Sequence, residues 1–402
     1  MSQSNEAPSA PPTRFVLANL LCAVGFGLVA MTICLPSMPQ WAELFDVAQA
    51  NVQLTFSVFV VAFGVTQVIY GPLSDRYGRR RLLMFGFALA AAGSVAGAMA
   101  SGLTALTFAR LVQGAGVGAG MVLGRAMVQD FFSGADRSRA MAYVGMAMGL
   151  CAPLATVVGG QLHVHFGWRA NFVLIALLAG VLMVTTWRVI PADTVTRTGR
   201  AHWLREMLDA YAQLVRVPAY LAYVAILALS TASFYIYLAG APSVLANYGV
   251  GPAEVGFFIM FPPMAYIVGS FFTSRLVKYF ADAGLMLVGQ CISLTGLVIL
   301  LILAVIGVPS PFAVAGPLIL LGFGQGLLMP PTLVGTVSVV PALAGAAAGA
   351  AGLAQQLCGA FGGYAIGLFE HRGAVKLALL MLLFMGAAFA SQLFLRRHQA
   401  RR

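Results

Sequence analysis

A polytopic membrane protein made only of α-helices is predicted for this 402-residue chain by three observations. The chain is 60% hydrophobic and only 9% charged, with a mean hydropathy of +0.90, whereas a soluble domain carries about 25% charged residues. Its apolar residues gather into twelve stretches, each near the roughly 20 residues that a spanning helix needs. Its cations concentrate in the short polar turns between those stretches.

The stretches run at 15–36, 51–72, 82–100, 104–126, 140–162, 170–190, 219–240, 253–274, 284–307, 312–334, 344–368 and 374–395. Residues 1–13 are rich in Ser, Pro and Ala. They lack the basic region and cleavage site of a signal peptide and are expected to form a disordered cytoplasmic tail. The longest polar interruption, 191–217, carries Arg197, Arg200, Arg205 and Arg216. It divides the chain into a first six-helix bundle (14–190), a linker (191–217), a second bundle (218–396) and a basic tail (397–402). Gly269 to Arg275 follows span 8 as Gly71 to Arg76 follows span 2, which suggests that the halves are repeats.

Twelve spans place both termini on one side. That side holds 18 Lys and Arg and the other only Arg169, Arg372 and Lys376. The positive-inside rule therefore puts both termini in the cytoplasm. The net charge of +11 is no sign of nucleic-acid binding, because it is spread over these turns.

Chemistry by a resident catalyst has no support in the sequence. No phosphate-binding Gly-rich loop is present, which argues against ATP-driven export. The five cysteines (Cys22, Cys34, Cys151, Cys291, Cys358) lie far apart in apolar stretches and read as small core residues. His163 and His165 are expected to be solvated in an external loop, and no metal site is visible.

Two sets of polar residues stand out. The first is the turn Gly71-Pro-Leu-Ser-Asp75-Arg76-Tyr-Gly78-Arg79-Arg80-Arg81. Four arginines and an aspartate belong at a membrane surface, because each is costly in hydrocarbon. The second is Arg110, several residues inside span 4, with Gln113 one turn away on the same face. A cation at that depth costs about 2.5–3.5 kcal/mol on insertion scales, so it must have a partner or face a cavity. Arg125 lies in the same span.

An ordered series of stretches resembles the major facilitator superfamily and, within it, the Bcr/CflA-type multidrug efflux branch. These are Leu35-Pro36-Ser37-Met38-Pro39, Val52-Gln53-Leu54-Thr55, the Gly71 to Arg81 turn and Arg110-Leu-Val-Gln113-Gly114. They continue with Arg125 to Asp130, Ala152-Pro153, Gly159-Gly160 and Gly167-Trp168-Arg169 to Phe172. The resemblance is strongest over about 30–190 and weaker at Ala344-Gly345 to Gln356. It implies two six-helix bundles around a central site and a gate formed by Gly71, Asp75, Arg76, Gly78, Arg79 and Arg80 with Asp130. It implies a helix-packing antiporter motif at Gly149, Pro153, Gly159 and Gly160. It also implies a substrate and proton route past Arg110, and a proton-motive force in place of any cofactor.

The chain departs from that pattern at Thr32, where related pumps carry an acid. None of its twelve acids falls near the middle of a span. A buried carboxylate is the usual proton carrier and counter-charge for cationic drugs. With Arg110 and Arg125 as the deep charges, neutral or anionic substrates are expected over lipophilic cations. Tyr235 and Tyr237 on span 7, with Gln355 and Gln356 on span 11, are candidate lining residues. The expected protein is a monomeric exporter of small amphipathic molecules in the bilayer of a bacterial inner membrane. It is expected to bind no nucleic acid. The alternative is a dedicated exporter of an endogenous metabolite such as a siderophore or amino-acid derivative.

Overall fold

The computed structural model describes residues 14–192, 203–369 and 373–400. The expected tail 1–13, linker residues 193–202 and Arg401 and Arg402 lie outside the described residues. Sixteen α-helices and two short 3-10 turns make up the described chain.

The first set comprises α1 (Arg14–Thr32), α2 (Met38–Leu44), α3 (Gln49–Tyr77), α4 (Arg79–Ala98), α5 (Leu103–Phe131), α6 (Gly134–Phe166) and α7 (Arg169–Val189). A short amphipathic helix, α8 (Trp203–Leu214), follows. The second set comprises α9 (Pro218–Ala246), α10 (Pro252–Ile259), α11 (Phe261–Leu276), α12 (Asp282–Ile306), α13 (Pro311–Ala315), α14 (Pro317–Ser338), α15 (Ala344–Gly367) and α16 (Val375–Ala400).

Prolines write several of the breaks. Pro36 and Pro39 follow the end of α1, where the chain makes a 3-10 turn over Leu35–Ser37 before α2. A proline has no N–H to continue the helical ladder. Span 8 breaks at Met260, just before Pro262-Pro263, into α10 and α11. Pro330-Pro331 instead stay within a continuous α14.

Eleven of the described segments are long and apolar enough to cross a membrane. The twelfth expected span is α15, which has spanning length but is diluted by glycines and by Gln355 and Gln356. Its placement explains its composition. It packs along α9 on one side and α3 on the other, where small residues allow close approach.

Within the first set, α3, α4 and α1 pack on α5, and α1 also packs on α6. Within the second set, α12 and α11 pack on α14, and α15 and α16 pack on α9. Two seams join the sets, α3 against α15 and α6 against α10 and α11. Large apolar side chains such as Phe108, Leu177, Val305 and Leu383 point outward, as lipid contact demands. Cys22 and Cys291 share that outer surface, whereas Cys34 is buried. His163 also differs from expectation. It lies within α6, buried, with Nε2 2.9 Å from Gln40 Oε1. His165, two residues on, is exposed.

Candidate functional site

The arginine turn is sharper than its sequence suggests, because one residue separates α3 from α4. That residue, Gly78, has φ = 94°, a backbone shape that favours glycine, and its N–H bonds the Ser74 carbonyl at 2.9 Å. The arginines that follow open a helix, the unfavourable end for a cation. They find partners at the opposite ends of neighbouring helices. Arg79 forms an ion pair with Asp130, the penultimate residue of α5. Arg80 donates to the carbonyl of Trp187 in the last turn of α7. Arg76 stacks on Tyr77 at 5.5 Å. Gly71 sits in the last turns of α3 with open space at its Cα. The side chain of Asp75 lies outside the described residues. The turn thus clasps helices of its own set.

Arg110 is 1% exposed. Nη1 donates to the Ala30 carbonyl at 2.9 Å and to Gln113 Oε1 at 2.6 Å, and Nη2 reaches the Met31 carbonyl at 3.5 Å. The guanidinium lies 4.0 Å over the ring of Phe59. Gln113 Nε2 passes the chain on to Ser94 Oγ at 2.8 Å, and Ser94 bonds the Ala90 carbonyl. Ala30 and Met31 belong to the last turn of α1, whose final carbonyls lack helical partners and carry the negative end of the helix dipole. The end of α1 therefore supplies the counter-charge to Arg110, next to the Thr32 position at which related pumps carry an acid. Thr32 adds no charge. Its Oγ1 donates to the carbonyls of Leu28 and Ala152, tying α1 to α6.

Arg125 is a separate feature. It lies fifteen residues along α5 from Arg110, roughly 22 Å of helical rise, and contacts Met121 Sδ.

The glycines of α6 divide between the second set and their own. Gly160 meets the Pro252 carbonyl of α10, and Gly149 meets Ile267 of α11, so both lie on the seam between the sets. Gly159 meets the Ile33 carbonyl beyond α1, within its own set. Pro153 stays inside the continuous helix.

On α9 and α15 the candidates also part company. Tyr235 donates to Gln356 Oε1 at 3.0 Å, and its ring meets Phe56 of α3 edge-on at 6.0 Å. Gln356 lies against Gly64 of α3. Gln355 Nε2 donates to Thr231 Oγ1 at 2.7 Å. Tyr237 is fully buried and donates to the Phe258 carbonyl of α10, inside the second set. The structure thus brings Tyr235 and Gln356 to the α3–α15 seam and leaves Tyr237 in the core.

Sequence reasoning missed Phe59 and quoted Gln53 only within the Val52-Gln53-Leu54-Thr55 stretch, without a role of its own. Phe59 carries no local signal, being one phenylalanine among many. Gln53 does carry one, because Gln49, Gln53 and Ser57 recur every fourth residue on α3.

The sequence model of the Major Facilitator Superfamily matches residues 20–363. Multidrug resistance protein D of Escherichia coli K12 is 27% identical over 369 residues, 92% of each chain. A chloramphenicol resistance protein of Pseudomonas aeruginosa is 25% identical over 76% of this chain and 73% of its own. A bicyclomycin resistance protein homologue of Haemophilus influenzae is 26% identical over 60% of this chain and 61% of its own. Among solved structures, a peptide transporter in complex with alafosfalin superposes with a TM-score of 0.78 at 16% identity, covering 96% of this chain and 94% of that one. A D-xylose–proton symporter gives 0.74 at 14% identity over 95% of each chain. Those two likenesses are of fold alone. The breadth of the sequence match settles the assignment: this chain belongs to the Major Facilitator Superfamily and is a multi-pass membrane transporter, not an enzyme.

Proposed function

We propose that the chain exports small amphipathic molecules, antibiotics among them, across a bacterial inner membrane. It does so as a monomer, by alternating access of the two helix sets, driven by the proton gradient. The names of its relatives support drug efflux, and the division of the helices into two sets meeting at two seams supports rocking about a central site. Both termini would lie in the cytoplasm with the arginine turn, on the charge asymmetry of the loops. When the opposite end opens, the Gly71 to Arg81 turn would close the cytoplasmic face.

The observation that carries the substrate class is the environment of Arg110. Its charge is held by backbone carbonyls and Gln113, with no carboxylate among its described partners. A substrate entering the bundle meets a net positive centre, which favours neutral and anionic molecules.

The test is susceptibility and accumulation in a bacterial host stripped of its own pumps, with neutral, anionic and cationic compounds, with and without a protonophore. Protonophore-sensitive resistance to neutral or anionic compounds is expected. Strong export of a cation such as ethidium that persists in an Arg110 variant would overturn the charge argument. Resistance to no compound, with the protein correctly inserted, would move the assignment to a dedicated metabolite exporter.

A further inference from the structure

Along α3, Gln49, Gln53 and Ser57 recur at every fourth position and so form one stripe on the helix. All three donate across the seam to the second set. Gln49 Nε2 reaches Ser243 Oγ at 3.1 Å, Gln53 Nε2 the Ala239 carbonyl at 2.7 Å, and Ser57 Oγ the Ala360 carbonyl at 2.8 Å. On the other seam, Gln161 of α6 donates to the Ala253 carbonyl at 3.4 Å. These four described hydrogen bonds between the sets all lie in the part of the bundle away from the arginine turn.

Gln53 differs from its neighbours in the stripe. It is fully buried, and its Oε1 is buried without a described partner. The backbone of α15 presses on its stem, since a Cβ at Gly367 would stand 2.7 Å from Gln53 Cγ. The side chain therefore holds the two sets together through one bond and keeps one carbonyl oxygen buried without a described partner. An unpaired buried acceptor carries a desolvation cost. Opening this end would release the bond and hydrate the carbonyl together.

We propose that Gln53 sets the open–closed balance of the transporter at the end remote from the arginine turn, as a positioning residue for transport. The inference rests on the alternating-access reading. Variants separate the two contributions. Gln53→Met keeps length and bulk without polar atoms, so it removes both the bond to Ala239 and the unpartnered carbonyl; because an unpaired buried acceptor costs more than one hydrogen bond returns, the closed seam gains on balance. Gln53→Glu as a carboxylate has no proton to donate to Ala239 and favours opening. As a neutral acid it donates through its hydroxyl and closes the seam again. The facing segments 235–246 and 353–368, and 49–60 of α3 itself, hold no charged residue. Their titratable groups are Tyr235, Tyr237, Cys358 and Tyr364. Of the other helices packed on α3, α5 brings Arg110 over Phe59 and α2 carries Glu43, and the introduced acid titrates in their field.

The experiment uses the purified full chain in lipid nanodiscs, with its five native cysteines replaced. Spin labels are placed at Asn51 on α3 and Leu368 beyond α15, both exposed and flanking this seam. A second pair at Tyr77 and Ala348 reports on the arginine-turn end. Gln53→Glu is expected to shift the Asn51–Leu368 distances toward the long state by about tenfold at high pH. Acid should return them to the short state by more than the pH response of the parent protein measured beside it. Gln53→Met is expected to enrich the short state, and it keeps the test open should the glutamate variant fail to insert. Distances in the glutamate and methionine variants that match the parent at every pH would overturn the role of Gln53. If the first pair moves as expected while the Tyr77–Ala348 pair never moves, Gln53 stands as a gate and alternating access falls.

Discussion

The guanidinium of Arg110 lies 4.0 Å over the ring of Phe59 while its nitrogens bond the last turn of α1. A flat, delocalised cation satisfies both demands, and an ammonium does not. A desolvated cation–π contact is worth about 2 kcal/mol. Arg110→Lys is therefore expected to keep the charge yet lower export by at least about tenfold, 1.4 kcal/mol being a factor of ten. Arg110→Met, which retains packing, should insert normally and abolish export of anionic compounds first. Transport assays on vesicles matched for protein content measure both, and wild-type rates in Arg110→Lys would show that charge alone suffices.

The Arg79–Asp130 pair is expected to matter more for transport than for stability. Its side chains are 28% and 45% exposed, and exposed ion pairs contribute about 0–1 kcal/mol. Asp130→Asn should destabilise the protein by less than about 1 kcal/mol while impairing export severalfold. Exchanging the charges (Arg79→Asp with Asp130→Arg) should restore part of the lost rate. Thermal unfolding in detergent, run beside export assays, separates the two effects.

Two glycines of α6 are expected to respond in opposite ways to alanine. A Cβ at Gly145 meets nothing within 4 Å, whereas one at Gly160 runs into the Pro252 carbonyl of α10. Gly145→Ala should gain up to about 1 kcal/mol from helix propensity. Gly160→Ala should lose about 1–3 kcal/mol by forcing the seam apart. Unfolding midpoints decide this, and equal behaviour of the two variants would contradict the tight α6–α10 contact.

Tyr235 and Gln356 form a buried hydrogen bond beside the α3–α15 seam. Gln356→Leu strands the phenol hydroxyl and should cost about 1–3 kcal/mol. Adding Tyr235→Phe removes the stranded group, so the double variant should cost less than the sum of the singles. A double-mutant cycle on stability measures that coupling. The same variants tested for substrate KM show whether the pair also touches cargo.

Much of this architecture was legible before folding. The apolar stretches at 51–72 and 104–126 lie within α3 and α5 because length and hydrophobicity are local properties. The resemblance groups Asp130 with the arginine turn, and the structure pairs it with Arg79. The counter-charge of Arg110 was not foreseen, because it is the end of a helix rather than a side chain, and no residue letter marks a free carbonyl. The burial of His163 was not foreseen either, since its position two residues before an exposed histidine looks like a loop.

The sequence marked twelve apolar stretches where eleven described segments are apolar enough to span, and two proline pairs of which only Pro262-Pro263 breaks its helix. By itself it determined the membrane class, the break near Pro36 and the clustering of arginines in one turn. Each follows from short-range chemistry: transfer from water, missing N–H groups and the cost of charge in hydrocarbon. Only the tertiary structure decided that α1 caps Arg110, that Tyr235 faces the seam and Tyr237 the core, and that the stripe Gln49–Gln53–Ser57 reaches α9 and α15. Those outcomes depend on which helix faces which across 186 or 303 residues of chain. In a bilayer all the spans are similarly apolar, so close packing and the few available polar partners select the neighbours.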